Sequence, residues 1–256
     1  MAKRVSKRKA RAEKLELDLV NNNVVAINQG PKKKSWSVLD IKNIKPLTEA
    51  QRAMLESYWQ GNEVVAVGSA GTGKTFLAIY MALNTVFSKD YQQDKMIIVR
   101  SIETTGKDIG ALPGELHEKI APFEAPYRDI INFLMGKGSA YEDLKDAGKI
   151  EFMPTTFIRG LTWDNSVVIL DELQNNALVD IASVCTRLGT NSRFIACGDG
   201  KQDDMANYKH TSSGFNDALK IFELMKSVDV IYFQKQDVVR SGFTKEFIMA
   251  REDLGL

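Results

Sequence analysis

With 256 residues, 44% hydrophobic and 26% charged, the chain has the make-up of an ordinary globular protein long enough to bury a sizeable core. No apolar run reaches the roughly 18 to 20 residues of a membrane span, and no apolar stretch follows the basic N-terminus as it would in a secretory signal. A cytoplasmic protein with no membrane partner is therefore expected. Two cysteines, Cys185 and Cys197, and two histidines, His117 and His210, show neither CxxC nor zinc-site spacing, so neither a disulfide framework nor a zinc centre is indicated.

The net charge of +1, from 34 basic and 33 acidic residues, conceals an uneven start. Lys3, Arg4, Lys7, Arg8, Lys9, Arg11 and Lys14 crowd the N-terminus with Glu13 as the only acid among them, and Lys32, Lys33 and Lys34 follow Pro31. Such an arm either neutralises nucleic-acid phosphates or serves as a solvated tail. The balanced charge of the remainder does not favour nucleic acid. Residues 1–45 read as a basic N-terminal tail and linker, broken by the apolar patch at 24–27, and residues 46–256 as the folded domain.

Beyond Gln51 short β-branched runs alternate with helical stretches. Strands are expected at 63–67, 96–100, 149–153, 166–170, 193–197 and 228–233, and helices at 74–87, 115–135, 176–188 and 213–225. This alternation predicts an α/β fold with a mainly parallel sheet sandwiched between helices.

The first strand runs into Gly68-Ser69-Ala70-Gly71-Thr72-Gly73-Lys74-Thr75, which meets every fixed position of GxxxxGK[ST] in the strand-to-helix setting that motif requires. Its backbone N–H groups would converge on phosphate oxygens, Lys74 would contact the β- and γ-phosphates, and Thr75 would place its hydroxyl on Mg²⁺. Further on, Val167-Val168-Ile169-Leu170 ends in the carboxylate pair Asp171-Glu172. Asp171 is the expected partner of Mg²⁺, and Glu172 the residue that orients and deprotonates the attacking water. The next strand delivers Gly198-Asp199-Gly200-Lys201-Gln202; Gln202 would contact the γ-phosphate or the water, although Asp-Gly is equally a turn signal. ATP and Mg²⁺ are the implied ligands.

With these pieces in order, the chain resembles the PhoH family of P-loop ATPases, itself similar to the first RecA-like motor domain of superfamily 1 helicases. The resemblance extends over Leu47-Thr48-Glu49-Ala50-Gln51, Val99-Arg100-Ser101, Leu112-Pro113-Gly114-Glu115, Phe157-Ile158-Arg159-Gly160, Asp171-Glu172-Leu173-Gln174-Asn175, Thr186-Arg187-Leu188-Gly189, Ser212-Ser213-Gly214 and Asp237-Val238-Val239-Arg240. It implies that Gln51 reads adenine, a residue that taken by itself is a helix-surface glutamine, and that Gln174 links the metal site to a polynucleotide-facing segment. Leu173 stands where the family usually has Ala, Ser241 where it has His, and no nuclease-like PIN segment lies within these residues.

Helicase-type motors bind ATP between two such cores, so a single core predicts a homo-oligomer in which a neighbour contributes an arginine; the resemblance points to a hexameric ring. Arg240 is the first candidate for that role, followed by Arg187 and Arg159. The implied activity is ATP hydrolysis coupled to remodelling single-stranded nucleic acid, RNA in preference to DNA, through segments such as 104–115 and 157–162. Phe157 and Trp163 are candidates for stacking on bases, with core packing the competing role. Two other functions fit a phosphate loop: an ATP-driven assembly switch, and a phosphotransferase of the thymidine-kinase type. The latter would need a zinc lasso that two isolated cysteines cannot build.

Overall fold

A computed structural model of the chain describes residues 36–102, 116–199 and 214–254, with the side chains of 116–118 left aside. The basic arm, residues 104–115 and the 200–213 stretch that contains Gln202 lie outside the described residues. All six expected strands are present: β1 (Glu63–Gly68), β2 (Lys95–Arg100), β3 (Ile150–Pro154), β4 (Ser166–Asp171), β5 (Arg193–Gly198) and β6 (Val228–Phe233). They form one sheet in the order β3-β2-β4-β5-β1-β6, and every neighbouring pair is parallel.

The helices are α1 (Glu49–Trp59), α2 (Lys74–Phe87), α3 (Leu116–Leu134), α4 (Ala140–Asp146), α5 (Leu178–Cys185), α6 (Phe215–Leu224) and α7 (Gly242–Leu254). Because side chains alternate along a strand, Val65, Val67, Ile97, Val99, Val168, Leu170 and Ala196 share one face, where they pack with Ile181 and Val184 of α5 and with Phe215 and Phe222 of α6. The alternate residues Val64, Ala66, Met96, Ile98, Val167 and Ile169 are as fully buried on the other face. β4 is buried along its whole length, the expected state of a central parallel strand covered on both sides.

Three helices, α1, α4 and α7, lie outside the ranges expected above. α1 is started by its own capping: the Thr48 hydroxyl accepts from Gln51 N, and Gln51 Oε1 accepts from Leu47 N at 2.8 Å, a variant of the reciprocal Thr-x-x-Gln box. α4 and α7 are short or weakly packed, and none of α7's residues is buried. α5 is shorter than the expected 176–188 because Leu173–Asn175 first forms a turn of 3₁₀ helix and Asn176 is extended. Trp163 belongs to the core at 3% exposure, so core packing is its role and base stacking is not open to it.

From β1 the chain passes over two strand positions to β2 and fills them later with β4 and β5. Such a reversal opens a crevice at the carboxyl ends of the strands beside it. The opposite end of β1 is held by Arg193. Its Nη2 donates to the carbonyls of Tyr58 and Asn62 at 3.1 and 2.7 Å, its Nε lies 3.2 Å from Glu63 Oε1, and its guanidinium lies 4.1 Å from the Tyr58 ring centroid. Glu63 Oε2 in turn accepts from Phe194 N. Burial raises the Tyr58 phenol to about 12, which keeps it a donor or acceptor partner for Thr85 Oγ1 at 3.0 Å.

Removing one member of a largely buried ion pair strands the other, at a cost of about 3 kcal/mol, whereas losing one neutral hydrogen bond costs about 1 kcal/mol. Urea unfolding should therefore rank Arg193→Met well below Tyr58→Phe in stability. Equal midpoints for Arg193→Met and the wild type would show that this cluster does not fasten α1 to the sheet.

Candidate nucleotide-binding site

The crevice is lined first by the turn between β1 and α2. Gly68 has φ +139, and a Cβ there would fall 1.9 Å from the carbonyl oxygen of Phe233, so only glycine lets the loop pass the end of β6. Gly73, at φ +90, is the N-cap of α2, leaving the first amides of that helix directed at the loop's hollow, where an anion is favoured. Lys74 is folded back over the loop: its Nζ donates to the carbonyls of Gly68 and Ser69 at 2.6 and 2.8 Å and to Thr72 Oγ1 at 3.3 Å. Burial pushes the pKa of this ammonium down, and the carboxylates Asp199, Asp171 and Glu172 pull it the other way.

At the end of β4 the Asp171 carboxylate is 5% exposed. Its Oδ1 accepts from Thr75 Oγ1 at 2.9 Å and its Oδ2 from the Tyr127 hydroxyl at 2.8 Å. Burial raises its pKa, and Glu172 adds to the rise, while the Tyr127 and Thr75 hydrogen bonds and the charge of Arg100 oppose it. Arg100 ends β2 directly opposite Asp171 in the parallel register.

Glu172 has left-handed backbone, φ +52 and ψ 50, a conformation costing a non-glycine residue about 1 kcal/mol. The turn is held by Asn176 Nδ2, which donates to the Glu172 carbonyl at 3.0 Å. The Glu172 side chain is gripped by Gln174, whose Nε2 donates to Oε2 at 2.6 Å, while Gln174 Oε1 accepts from Asp199 N at 2.9 Å. One glutamine thus ties the ends of β4 and β5 together. Arg100 Nη2 stands 3.9 Å from the other oxygen of Glu172.

These groups line a cavity of about 860 Å³, a size suited to a nucleotide. Lys74, Thr75, Asp171, Glu172 and Asp199 form one part of its wall, and Ile44, Leu47, Ile130 and Phe133 another. Gln51 lines it too, 5% exposed, with Nε2 donating to the Thr72 carbonyl at 2.9 Å. It is thus a buried brace between α1 and the phosphate loop rather than a helix-surface residue. Arg240 also lines the cavity of its own chain, beside Gly71, whose carbonyl accepts from Val239 N at 3.1 Å. α7 approaches the same loop, where Ser69 Oγ donates to Glu252 Oε1 at 2.5 Å.

The structure thus gathers Gln51, Ala70, Gly71, Gly73, Lys74, Thr75, Asp171, Glu172 and Arg240 around one cavity, with Gly68, Ser69 and Thr72 completing the loop. Arg159 and Arg187 do not line it; Arg187 Nε donates to the Ile158 carbonyl at 3.2 Å. Sequence reasoning assigned no role to Tyr127 or Arg100. Parallel pairing of β2 with β4 would have placed Arg100 opposite Asp171, but nothing in the sequence pointed to Tyr127. Among the described residues no cluster of three His, Cys, Asp or Glu side chains is arranged to hold a metal. One hydroxyl and one carboxylate fit Mg²⁺, which keeps most of its waters and takes phosphate oxygens, rather than an all-protein cage.

The PhoH-like protein family pattern matches residues 43–252. Curated PhoH-like proteins are 34% identical over 82% of this chain in Synechocystis and in Bacillus subtilis, and Protein PhoH of Escherichia coli K12 is 32% identical over 97% of it. The chain spans 62%, 64% and 70% of those three relatives' lengths respectively. Among solved structures, the large terminase of a thermophilic bacteriophage, in complex with ADP, covers 80% of this chain and 50% of its own, at 14% identity and a TM-score of 0.44, an overlap too loose to argue from. With a parallel sheet, a phosphate loop and a strand-end carboxylate pair assembled around one cavity within the matched span, the chain belongs to the PhoH-like family of P-loop NTPases.

Proposed function

We propose that this chain binds ATP with Mg²⁺ in the crevice between β1, β4 and β5 and hydrolyses it. The observation that carries the reading is the 2.9 Å hydrogen bond from Thr75 to Asp171, because it joins the phosphate loop to the strand-end carboxylate at the point where a triphosphate and its cation meet. The loop amides and the first turn of α2 receive the phosphates. Lys74 exchanges the Gly68 and Ser69 carbonyls for β- and γ-phosphate oxygens, a better partner for a buried ammonium. Thr75 and Asp171 would hold the cation. When bound, Mg²⁺ withdraws charge from the phosphate oxygens and fixes their geometry.

Glu172 orients the attacking water and takes its proton, with Gln174 fixing one carboxylate oxygen so that the other faces the reaction. Gln202, expected from its motif to contact the γ-phosphate, lies outside the described residues. Arg240, placed in its own chain's cavity, supplies positive charge in cis. Gln51 meets the adenine end of the cavity, and reading the base requires its amide to exchange one of its two present bonds.

Coupling to single-stranded RNA by a homo-oligomeric, hexameric ring is the finer part of this proposal. Its support is that Phe157, 49% exposed, and Arg159 follow the carboxyl end of β3, the edge that also carries the cavity. An exposed aromatic ring and an arginine two positions apart in sequence suit single-stranded polymer. Within a ring, Arg159 or Arg187 would be the arginine offered to a neighbour. The competing reading is an assembly switch in which ATP drives association and polymer has no effect.

Lys74→Ala should weaken ATP binding by tenfold or more, the loss of about one charge-assisted hydrogen bond, as read by titration with a fluorescent analogue. Glu172→Gln should keep binding and lower turnover by about 10²- to 10⁴-fold; a wild-type rate in that variant would remove Glu172 from the mechanism. Steady-state hydrolysis should rise several-fold with single-stranded RNA in low salt and respond less in moderate salt, as phosphate contacts demand. Hydrolysis indifferent to RNA and DNA alike would favour the assembly switch.

A further inference from the structure

We propose that Tyr127 is a positioning residue for the divalent cation: its hydroxyl fixes the orientation of the Asp171 carboxylate that would hold the cation. The inference rests on the Mg²⁺–ATP reading of this cavity and adds to it a residue contributed by a helix outside the phosphate loop and the strand ends.

The terminal torsion of an aspartate is soft and roughly two-fold. A single hydrogen bond to Oδ1 would leave the other oxygen free to swing. Here two donors from separate elements take one oxygen each, Thr75 from α2 at 2.9 Å and Tyr127 from α3 at 2.8 Å, and the carboxylate plane is thereby fixed. Thr75 can meet the cation with its oxygen and still point its proton at Asp171, so its bond belongs to the phosphate loop's own chemistry. Tyr127 stands outside the phosphate loop, and its hydroxyl also meets the guanidinium of Arg100. Its ring is 1% exposed and lies against Phe152 of β3 with centroids 5.6 Å apart. The hydroxyl is therefore delivered from a side chain that cannot move without disturbing the core.

Chemistry sets the direction of the bond. An ionised carboxylate only accepts, and burial pushes the Tyr127 phenol well above its ordinary range, so it keeps its proton and donates. Without it, Oδ2 would remain buried and unsatisfied, costing about 1–3 kcal/mol. Outer partners of this kind typically change metal affinity by about 10- to 100-fold when removed. A role confined to satisfying a buried oxygen would change stability and leave metal uptake alone.

The test uses the full chain, ADP and Mn²⁺ as the probe, with bound Mn²⁺ counted by electron paramagnetic resonance. Tyr127→Phe keeps the ring, so ADP binding in EDTA should equal that of the wild type, while Mn²⁺ affinity of the ADP complex should fall by about tenfold. Difluorotyrosine at position 127 keeps shape and hydroxyl but alters proton donation, and should shift Mn²⁺ affinity with no change in folding. Unchanged Mn²⁺ affinity in both variants overturns the assignment. A wild-type protein that takes up no Mn²⁺ beside ADP would instead overturn the nucleotide-site reading itself, and this inference with it.

Discussion

The Asp171 carboxylate is held out of water at the end of the sheet's most thoroughly buried strand, and the elements around it are arranged to tolerate that. An ionised group in such a place costs several kcal/mol unless it is hydrogen-bonded and faced by positive charge. α2 answers with Thr75, α3 with Tyr127, and β2 with Arg100 opposite Asp171 in register. Lys74 lies close enough to feel the charge. The same demand that brings these elements together leaves a polar hollow at their meeting point, so the site follows from the way the core is closed.

Around that carboxylate the two strand ends act as one unit. Glu172 accepts an unfavourable left-handed backbone, and Gln174 bridges its side chain to the backbone of Asp199, just past β5. Gly198 permits this closeness, since a Cβ there would fall 2.9 Å from the Cβ of Leu173. A change at the phosphate end of the cavity therefore has a short hydrogen-bonded route from β4 to β5. Arg240 and α7 reach the loop from the other side, through Gly71 and Ser69.

The parts of this architecture legible in the sequence are those written in contiguous residues. Strand β4 shows as an unbroken apolar run because both its faces are covered, and the phosphate loop shows because its glycines and Lys74-Thr75 must fall at fixed spacing. What was not legible depends on residues that meet only after folding. Tyr127 and Asp171 are 44 positions apart and share no motif. Gln51, taken by itself, reads as a surface residue because nothing local says that its amide will reach Thr72, whereas for Trp163 the sequence leaves stacking and core packing both open and the ring joins the core under α5 and α6. Arg240 follows a strand as expected, yet the turn after β6 folds it back onto its own chain's Gly71, which local pattern does not encode.

The most direct test of the central claim is a single-turnover experiment in which excess protein is mixed with ATP labelled in the γ-phosphate, with Mg²⁺ or with EDTA. The account predicts that labelled inorganic phosphate is released with Mg²⁺ and not with EDTA. Bound ATP that yields no phosphate above the protein-free blank in the presence of Mg²⁺ would contradict it.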